Sequence, residues 1–160
     1  MSFDTTAGTR GGRQPAGLAA RWANNLMAGR IRKGRAKFLG FNALVLITVG
    51  RKSGVERRTP VGWFPGLDGT WLIVASAAGA TGNPAWYYNI AGHPDQVQIE
   101  VDGRTVPVLA EQLHGPDRAA AWQEITTAAP RFARYQQKTD RELPIIRLTP
   151  RSAPETPPQP

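Results

Sequence analysis

The chain has 160 residues, of which 41% are hydrophobic and 20% charged, and this composition predicts one soluble globular domain with a substantial core. The absence of cysteine excludes disulfides, thiolate nucleophiles and cysteine-ligated metal clusters. His93 and His114 both stand in Gly/Pro-containing turns, so we expect neither a metal site nor a Ser/His triad. No apolar run is long enough to cross a bilayer and the start lacks a signal sequence, which predicts a cytoplasmic protein.

The net charge of +8 is concentrated in residues 1–58, where 12 lysines and arginines stand against two acidic residues. Residues 59–160 hold eight basic and ten acidic side chains. Such a local excess of cations favours a surface that meets an anionic partner: a phosphate, a nucleic acid or acidic lipid heads.

The N-terminal part divides into two predicted segments. Residues 1–14 are rich in Gly, Thr and Arg and are predicted to be disordered. Residues 15–37 are predicted to form a helix with an apolar stripe and five cations at its far end. The stripe consists of Leu18, Trp22, Leu26 and Ile31. This helix either has a solvated basic end or is an amphipathic segment that rests on a membrane surface or over a binding site.

From residue 38 the pattern becomes mainly β. Strands are predicted over 42–49, 55–64, 70–76, 97–101, 106–108 and 144–148. Helices are predicted over 84–91, with Asn83 as N-cap, and over 115–137, interrupted near Pro130. Asp102-Gly103 is a strong hairpin signal. Because the connections are short, the order predicts an α+β fold: a small antiparallel β-barrel with packed helices and a disordered Pro-rich tail over 151–160.

One turn is a candidate anion site. Gly50-Arg51-Lys52-Ser53-Gly54 is followed closely by Arg57, Arg58 and Thr59. Two glycines allow a tight turn whose backbone N–H groups point at an oxyanion, and the cations supply charge-assisted hydrogen bonds. The spacing is not that of a Walker A loop, and the alternative is an ordinary solvated hairpin.

Aromatic side chains form a second candidate feature. Trp86, Tyr87 and Tyr88 are consecutive on a short predicted helix, and Phe132 and Tyr135 are three residues apart on another. Each group either packs in the core or forms a wall for a flat ring system. Ser76, at the end of a predicted strand, either donates a hydrogen bond to a ligand or merely ends the strand.

Three stretches in this order resemble the deazaflavin-dependent nitroreductase family. They are LITVGRKSGVERRTPVGW, WLIVASAAGATGNPAWYYN and FARYQQKTDRELPI. The resemblance implies that residues 38–150 form a split β-barrel of the FMN-binding, pyridoxamine-phosphate-oxidase-like type that binds coenzyme F-420, an 8-hydroxy-5-deazaflavin. It also implies hydride transfer from the reduced coenzyme to a quinone, enone or nitroaromatic acceptor, a reaction that needs no metal.

The resemblance further implies the site residues. The cofactor's phosphate and glutamyl tail would be held by Arg51, Lys52 and Arg57, with Ser53, Arg58 and Thr59 beside them. The segments along the deazaflavin ring would be Pro60, Val61, Val74, Ala75, Ser76, Ala77, Ala85, Trp86, Tyr87, Tyr88, Asn89 and Phe132. The acceptor would meet Ser76, Phe132 and Tyr135, of which Ser76 and Tyr135 are the candidate catalytic residues that deliver a proton.

Two departures from the family pattern affect the acceptor. Ala77 stands where many relatives carry Lys or Arg, which removes one phosphate contact. Ala129, Phe132 and Tyr135 stand where some relatives carry three tyrosines, so we expect a roomier and less polar acceptor pocket.

Two other functions stay open at this stage. The barrel could bind FMN instead, or a small basic barrel could bind nucleic acid through residues 30–37. Since the chain carries no recognised nucleic-acid motif, we expect no nucleic-acid partner. The expected protein is a monomer or homodimer that acts on a small-molecule acceptor and contacts a membrane peripherally.

Overall fold

A computed structural model describes residues 3–12, 37–38 and 41–151, which form an antiparallel barrel with helices packed against it. The strands are β1 (Lys37–Phe38), β2 (Phe41–Val49), β3 (Glu56–Pro65), β4 (Trp71–Val74), β5 (Val97–Val101), β6 (Arg104–Gln112) and β7 (Ile145–Pro150). The helices are α1 (Ala85–Gly92), α2 (Gly115–Ala128) and α3 (Arg131–Lys138). The predicted helix over 15–37, apart from its last residue in β1, and the tail beyond residue 151 lie outside the described residues. No helix in the described part of the chain is long and apolar enough to cross a membrane.

The barrel closes between β2 and β5. The strand order is β1-β2-β3-β4-β7-β6-β5, and β5 pairs back onto β2 through Leu46 and Ile99. Every pairing between the named strands is antiparallel, as the short connections predict. At the β5–β6 turn Asp102 and Gly103 both have positive φ, 51° and 76°, as a two-residue hairpin requires. The predicted fold class is therefore confirmed.

Strands β4 and β7 are buried on both faces. On β4, Ile73 points into the barrel, whereas Leu72 packs against the residues of α2 and α3. On β7, Ile146 likewise points into the barrel, and Ile145 packs against the residues of α2 and α3. Because successive side chains of a strand point to opposite faces, continuous apolar sequence in these strands reflects an apolar layer on each side.

The ends of several elements differ from the prediction, most of all those of β6, which runs from Arg104 to Gln112 and not over 106–108. Strand β4 ends at Val74 rather than Ser76, because Ser76 has helical backbone angles and the next two residues have positive φ. Strand β7 extends to Pro150, which pairs with Val108. Helix α1 has Pro84 rather than Asn83 at its N-cap, since the Asn83 side chain bonds elsewhere.

Residues 1–14 are predicted to be disordered, but residues 3–12 make ordered contacts with the rest of the domain. The Gly8 N–H donates to the Thr81 carbonyl (2.8 Å), and Gly12 forms a parallel bridge with Ala80. The segment has little apolar sequence and packs largely through its backbone, so hydrophobic patterning gave no signal for it.

Candidate functional site

A cavity of about 620 Å³ lies between the β2–β3 turn and the first half of α1. Its lining comprises Gly50, Arg51, Lys52, Ser53, Glu56, Arg57, Arg58, Thr59, Ala85, Trp86 and Asn89. The structure thus brings the predicted anion turn, apart from Gly54, together with three of the predicted α1 residues. Glu56 also lines the cavity, although the sequence patterns did not single it out as a binding residue.

The β2–β3 turn is closed by its own hydrogen bonds. The Gly50 N–H donates to the Val55 carbonyl and the Gly54 N–H to the Gly50 carbonyl, both at 2.8 Å, while Ser53 Oγ accepts from the Val55 N–H. A Cβ on Gly50 would lie 2.6 Å from Ser53 Oγ, which explains the glycine there. Since the Gly50, Gly54 and Val55 amides already have acceptors, they are not available to an oxyanion. A role for the other N–H groups of the turn stays a prediction, beside charge-assisted binding by the side chains.

Helix α1 fixes the turn. The Arg51 N–H donates to Asn89 Oδ1 (3.1 Å), and Asn89 Nδ2 donates to Thr48 Oγ1 on β2 (3.4 Å). The Arg51 guanidinium lies over the Tyr88 ring, 4.9 Å from its centroid. The charged turn and α1 are thereby connected by polar and cation–π contacts.

The cations of the cavity differ in whether a nearby carboxylate compensates their charge. Arg58 pairs with Glu100 of β5 and, at 3.3 Å, with Glu56, so its charge is largely opposed. Among the described residues, neither Lys52 nor Arg57 has a carboxylate partner. The cavity therefore holds uncompensated positive charge, which favours an anionic ligand.

The three consecutive aromatics of α1 face different ways. Trp86 lines the cavity while remaining largely buried. Tyr87 is only 2% exposed, donates to Gln112 Oε1 (2.6 Å) and accepts from the Thr5 N–H (3.0 Å). Burial raises the Tyr87 pKa above its usual value. Tyr87 is therefore a core residue of the barrel outside the cavity lining, and its role as a ring contact stays a prediction.

The remaining predicted residues lie outside this cavity lining. Pro60 and Val61 are half-buried on β3, and Val74 ends β4. Beyond it, Ala75 is buried, and Ser76 and Ala77 begin a tight turn toward α1.

The acceptor-side aromatics pack on the outer face of the barrel. Phe132 is 8% exposed, and its ring centroid lies 5.6 Å from those of Phe64 and Tyr135. Phe132 is thus a core residue rather than part of the cavity wall, as is Ala129. Tyr135 is half-buried, and its carbonyl lies 2.7 Å from where a Cβ on Gly79 would stand. Helix α3 therefore packs closely on the turn that begins at Ser76.

Sequence reasoning gave Arg141 no role. The residue belongs to the Thr-Asp-Arg part of the third resembling stretch, and its guanidinium is buried against the segment that joins β4 to α1. Its position inside that stretch, in a short polar run before a strand, was the available signal.

The family model described as F420H(2)-dependent quinone reductase matches residues 22–150 of this chain. The chain belongs to that family. The F420H(2)-dependent quinone reductase of Mycobacterium tuberculosis H37Rv is 38% identical over 110 residues, which cover 67% of this chain and 72% of the relative. The solved structure of an F420-H2 dependent reductase, FDR-A, has a TM-score of 0.60 at 32% identity and covers 66% of this chain and 92% of its own. Another solved structure, described as a domain-swapped dimer, has a TM-score of 0.61 at 27% identity and covers 82% and 99% of the two chains. These similarities confirm the resemblance inferred from the sequence.

Proposed function

We propose that this protein is an oxidoreductase that binds reduced coenzyme F-420 in the cavity beside α1 and transfers its hydride to a quinone. The observation that carries the proposal is the cavity itself, in which Trp86 forms part of the wall and Lys52 and Arg57 have no carboxylate partner in the described part of the chain. Family membership supplies the cofactor and the acceptor class.

The residues present fit the coenzyme. A phosphate with a glutamyl tail needs cations that no protein carboxylate neutralises, and the β2–β3 turn provides them. A flat ring system needs an aromatic or apolar surface, which Trp86 and Ala85 provide at the other side of the cavity. The volume of about 620 Å³ lies within the usual range of ligand sites.

Each part of the site then has a defined task. Bound reduced F-420 supplies a hydride, so the chain needs neither a nucleophile nor a metal of its own. Arg51, Lys52 and Arg57 bind the anionic tail, and Trp86 orients the ring. Reduction of a quinone to a hydroquinone consumes one hydride and one proton. We assign delivery of that proton to Ser76 or Tyr135, on the turn and the helix that pack together.

The acceptor belongs to the finer part of the proposal. We take a quinone as the principal acceptor and expect enones and nitroaromatics to be reduced less well. The support is the description of the family to which the chain belongs.

Membrane contact and assembly are also proposed. Residues 15–37 carry an apolar stripe beside five cations, and quinones are lipid-soluble, so we propose a cytoplasmic protein in peripheral contact with an anionic membrane. Co-sedimentation with anionic vesicles at low salt tests this, and neutral vesicles are the control. A homodimer is the proposed alternative to a monomer, supported by the solved structure described as a domain-swapped dimer. Light scattering decides between the two.

Titration with F-420 and with FMN tests the cofactor assignment. We expect saturable binding of F-420 that added salt weakens. FMN should bind much more weakly, because it lacks the glutamyl tail that the cations of the β2–β3 turn would bind. Equal affinity for the two flavins, or tighter binding of FMN, would contradict the proposal. Binding of a single-stranded oligonucleotide in place of either cofactor would favour the nucleic-acid alternative.

A further inference from the structure

Arg141 is a buried cation held by oxygen atoms that carry no charge. Its side chain lies just before β7, and the residue is 3% exposed. Among the described residues, every acceptor of its guanidinium is a backbone or amide carbonyl. Burial lowers the Arg141 pKa below its usual value. A buried charge of this kind persists only where hydrogen bonds replace its lost hydration.

All of these acceptors belong to residues 75–83, the segment that joins β4 to α1. One terminal nitrogen of the guanidinium donates to the Ala75 carbonyl (2.9 Å) and to Asn83 Oδ1 (2.7 Å). The other donates to the carbonyls of Ser76 (3.0 Å) and Ala80 (3.1 Å). One planar group therefore binds both ends of the segment at once.

The backbone between these anchors is strained. Ala77 and Ala78 have φ of 45° and 54°, in the left-handed region that residues with a Cβ avoid. Within the turn the Gly79 N–H donates to the Ser76 carbonyl (2.9 Å) and the Ala80 N–H to the Ala77 carbonyl (3.0 Å). Two consecutive left-handed alanines persist only where surrounding contacts hold them.

The strained turn stands between two parts of the proposed site. Ser76, proposed for the acceptor, begins the turn. Asn83, bound by Arg141, stands two residues before Ala85, which lines the cavity. A substitution of Arg141 would therefore alter the positions of Ser76 and of the start of α1 together.

We propose that Arg141 is a positioning residue for the F-420-dependent reaction. It holds Ala77 and Ala78 in their left-handed form and thereby sets the position of Ser76 and of the first turn of α1. This inference rests on the proposed function. A buried arginine is a poor way to gain stability alone, since apolar groups of similar size often stabilise a core as well or better. Backbone strain held by such a group is characteristic of functional segments.

The test variant is Arg141→Lys, and the matched control is Arg118→Lys. Lysine keeps the charge but lacks the planar fork, so it cannot bind all four oxygen atoms. The Arg118 side chain is also largely buried, but it contacts Leu143 and Glu142 instead of the 75–83 segment. Both proteins are compared by amide hydrogen exchange, F-420 affinity and kcat with a quinone.

For Arg141→Lys we expect amide exchange in the 75–83 segment to rise about tenfold and kcat to fall about tenfold. F-420 affinity should stay within about threefold, because the cationic turn does not contact Arg141. Arg118→Lys should leave exchange in this segment and kcat near the wild-type values. Should Arg141→Lys fail to fold, Asn83→Ser removes one of its acceptors, and we expect changes in the same direction.

A second substitution separates positioning from general loss of stability. Glycine adopts the Ala78 backbone angles without strain, so Ala78→Gly added to Arg141→Lys should restore kcat about threefold or more. If Arg141→Lys has the same exchange and kcat as the Arg118→Lys control, the inference is overturned while the proposed function stands. A loss of kcat in Arg141→Lys without faster exchange in residues 75–83 would overturn it as well. Wild-type protein that fails to oxidise reduced F-420 would overturn the proposed function, and with it this role for Arg141.

Discussion

The backbone N–H of Arg51 donates to the side-chain Oδ1 of Asn89, 38 residues further along the chain. This hydrogen bond joins the β2–β3 turn, which carries the uncompensated cations, to the helix that carries Trp86. A ligand that is anionic at one end and aromatic at the other would meet both parts in a fixed relation. That relation underlies the predictions on binding.

Lys52→Ala should weaken F-420 binding. The side chain lines the cavity and has no carboxylate partner among the residues that the structure describes. Loss of a charge-assisted hydrogen bond of about 1.5–2 kcal/mol corresponds to a rise in Kd of about tenfold or more. Fluorescence titration at low salt measures it. Arg104→Ala is the matched control, since it removes the same charge from the exposed β5–β6 hairpin. If both variants bind like the wild type, the assignment of the turn to the anionic tail fails.

Glu56→Gln should have the opposite effect. Glu56 is a carboxylate in the cavity lining and would repel an anionic tail, although its exposed position screens much of the repulsion. We expect Kd for F-420 to fall about two- to threefold at low salt and the difference to vanish at high salt. Glu111→Gln, a carboxylate paired with Arg147 outside the cavity, serves as control. Weaker binding by Glu56→Gln would contradict an anionic ligand at this position.

Ser76→Ala and Tyr135→Phe test the acceptor side. Loss of one hydrogen bond to the reacting acceptor should cost about 1–3 kcal/mol of transition-state stabilisation and lower kcat/KM accordingly, with F-420 affinity nearly unchanged. Tyr135→Phe removes a proton donor but keeps the ring, so it separates donation from packing. Steady-state oxidation of reduced F-420 by several quinones measures the effect. Wild-type kcat/KM in both variants would show that these residues are structural.

Asp140 should make the attachment of residues 3–12 sensitive to acid. Its carboxylate accepts hydrogen bonds from the Thr9 hydroxyl and from the N–H groups of Arg10 and Thr9, which lower the Asp140 pKa to about 2. Because the folded pKa lies below the ordinary value of about 3.9, this contribution is present above about pH 4 and is lost as the pH falls through about 2. Amide resonances of Thr9 and Arg10 should titrate in that window. Asp140→Asn should abolish the titration, whereas a midpoint near the ordinary carboxylate value would contradict the anchor.

Local sequence signals predicted the features that depend on residues close together in the chain, such as turns, hairpins and helix ends. The positive φ at Asp102 and Gly103, the antiparallel hairpins and the grouping of Arg51 with Arg57 all follow from turn residues and short connections. The interruption near Pro130 separates α2 from α3 for the same local reason.

Contacts between distant residues were beyond these signals. The pairing of Arg58 with Glu100 depends on closure of the barrel between β2 and β5. The sequence therefore could not show that the Arg58 charge is compensated whereas, within the described residues, those of Lys52 and Arg57 are not. Periodicity could not decide which of three consecutive aromatics enters the core, and the Gln112 amide that accepts from Tyr87 lies on another strand. Arg141 was missed because its acceptors are carbonyls, which every residue possesses.

The most direct test of the central claim is steady-state oxidation of reduced F-420 by menadione with the full-length protein, followed by the absorbance of the oxidised deazaflavin. The proposed function predicts turnover that saturates in both reactants and is lowered in Lys52→Ala through the KM for F-420. With reduced FMN in place of the deazaflavin, oxidation should be no faster than in the protein-free reaction. Oxidation no faster than in the protein-free reaction, at F-420 concentrations that saturate binding, would contradict it.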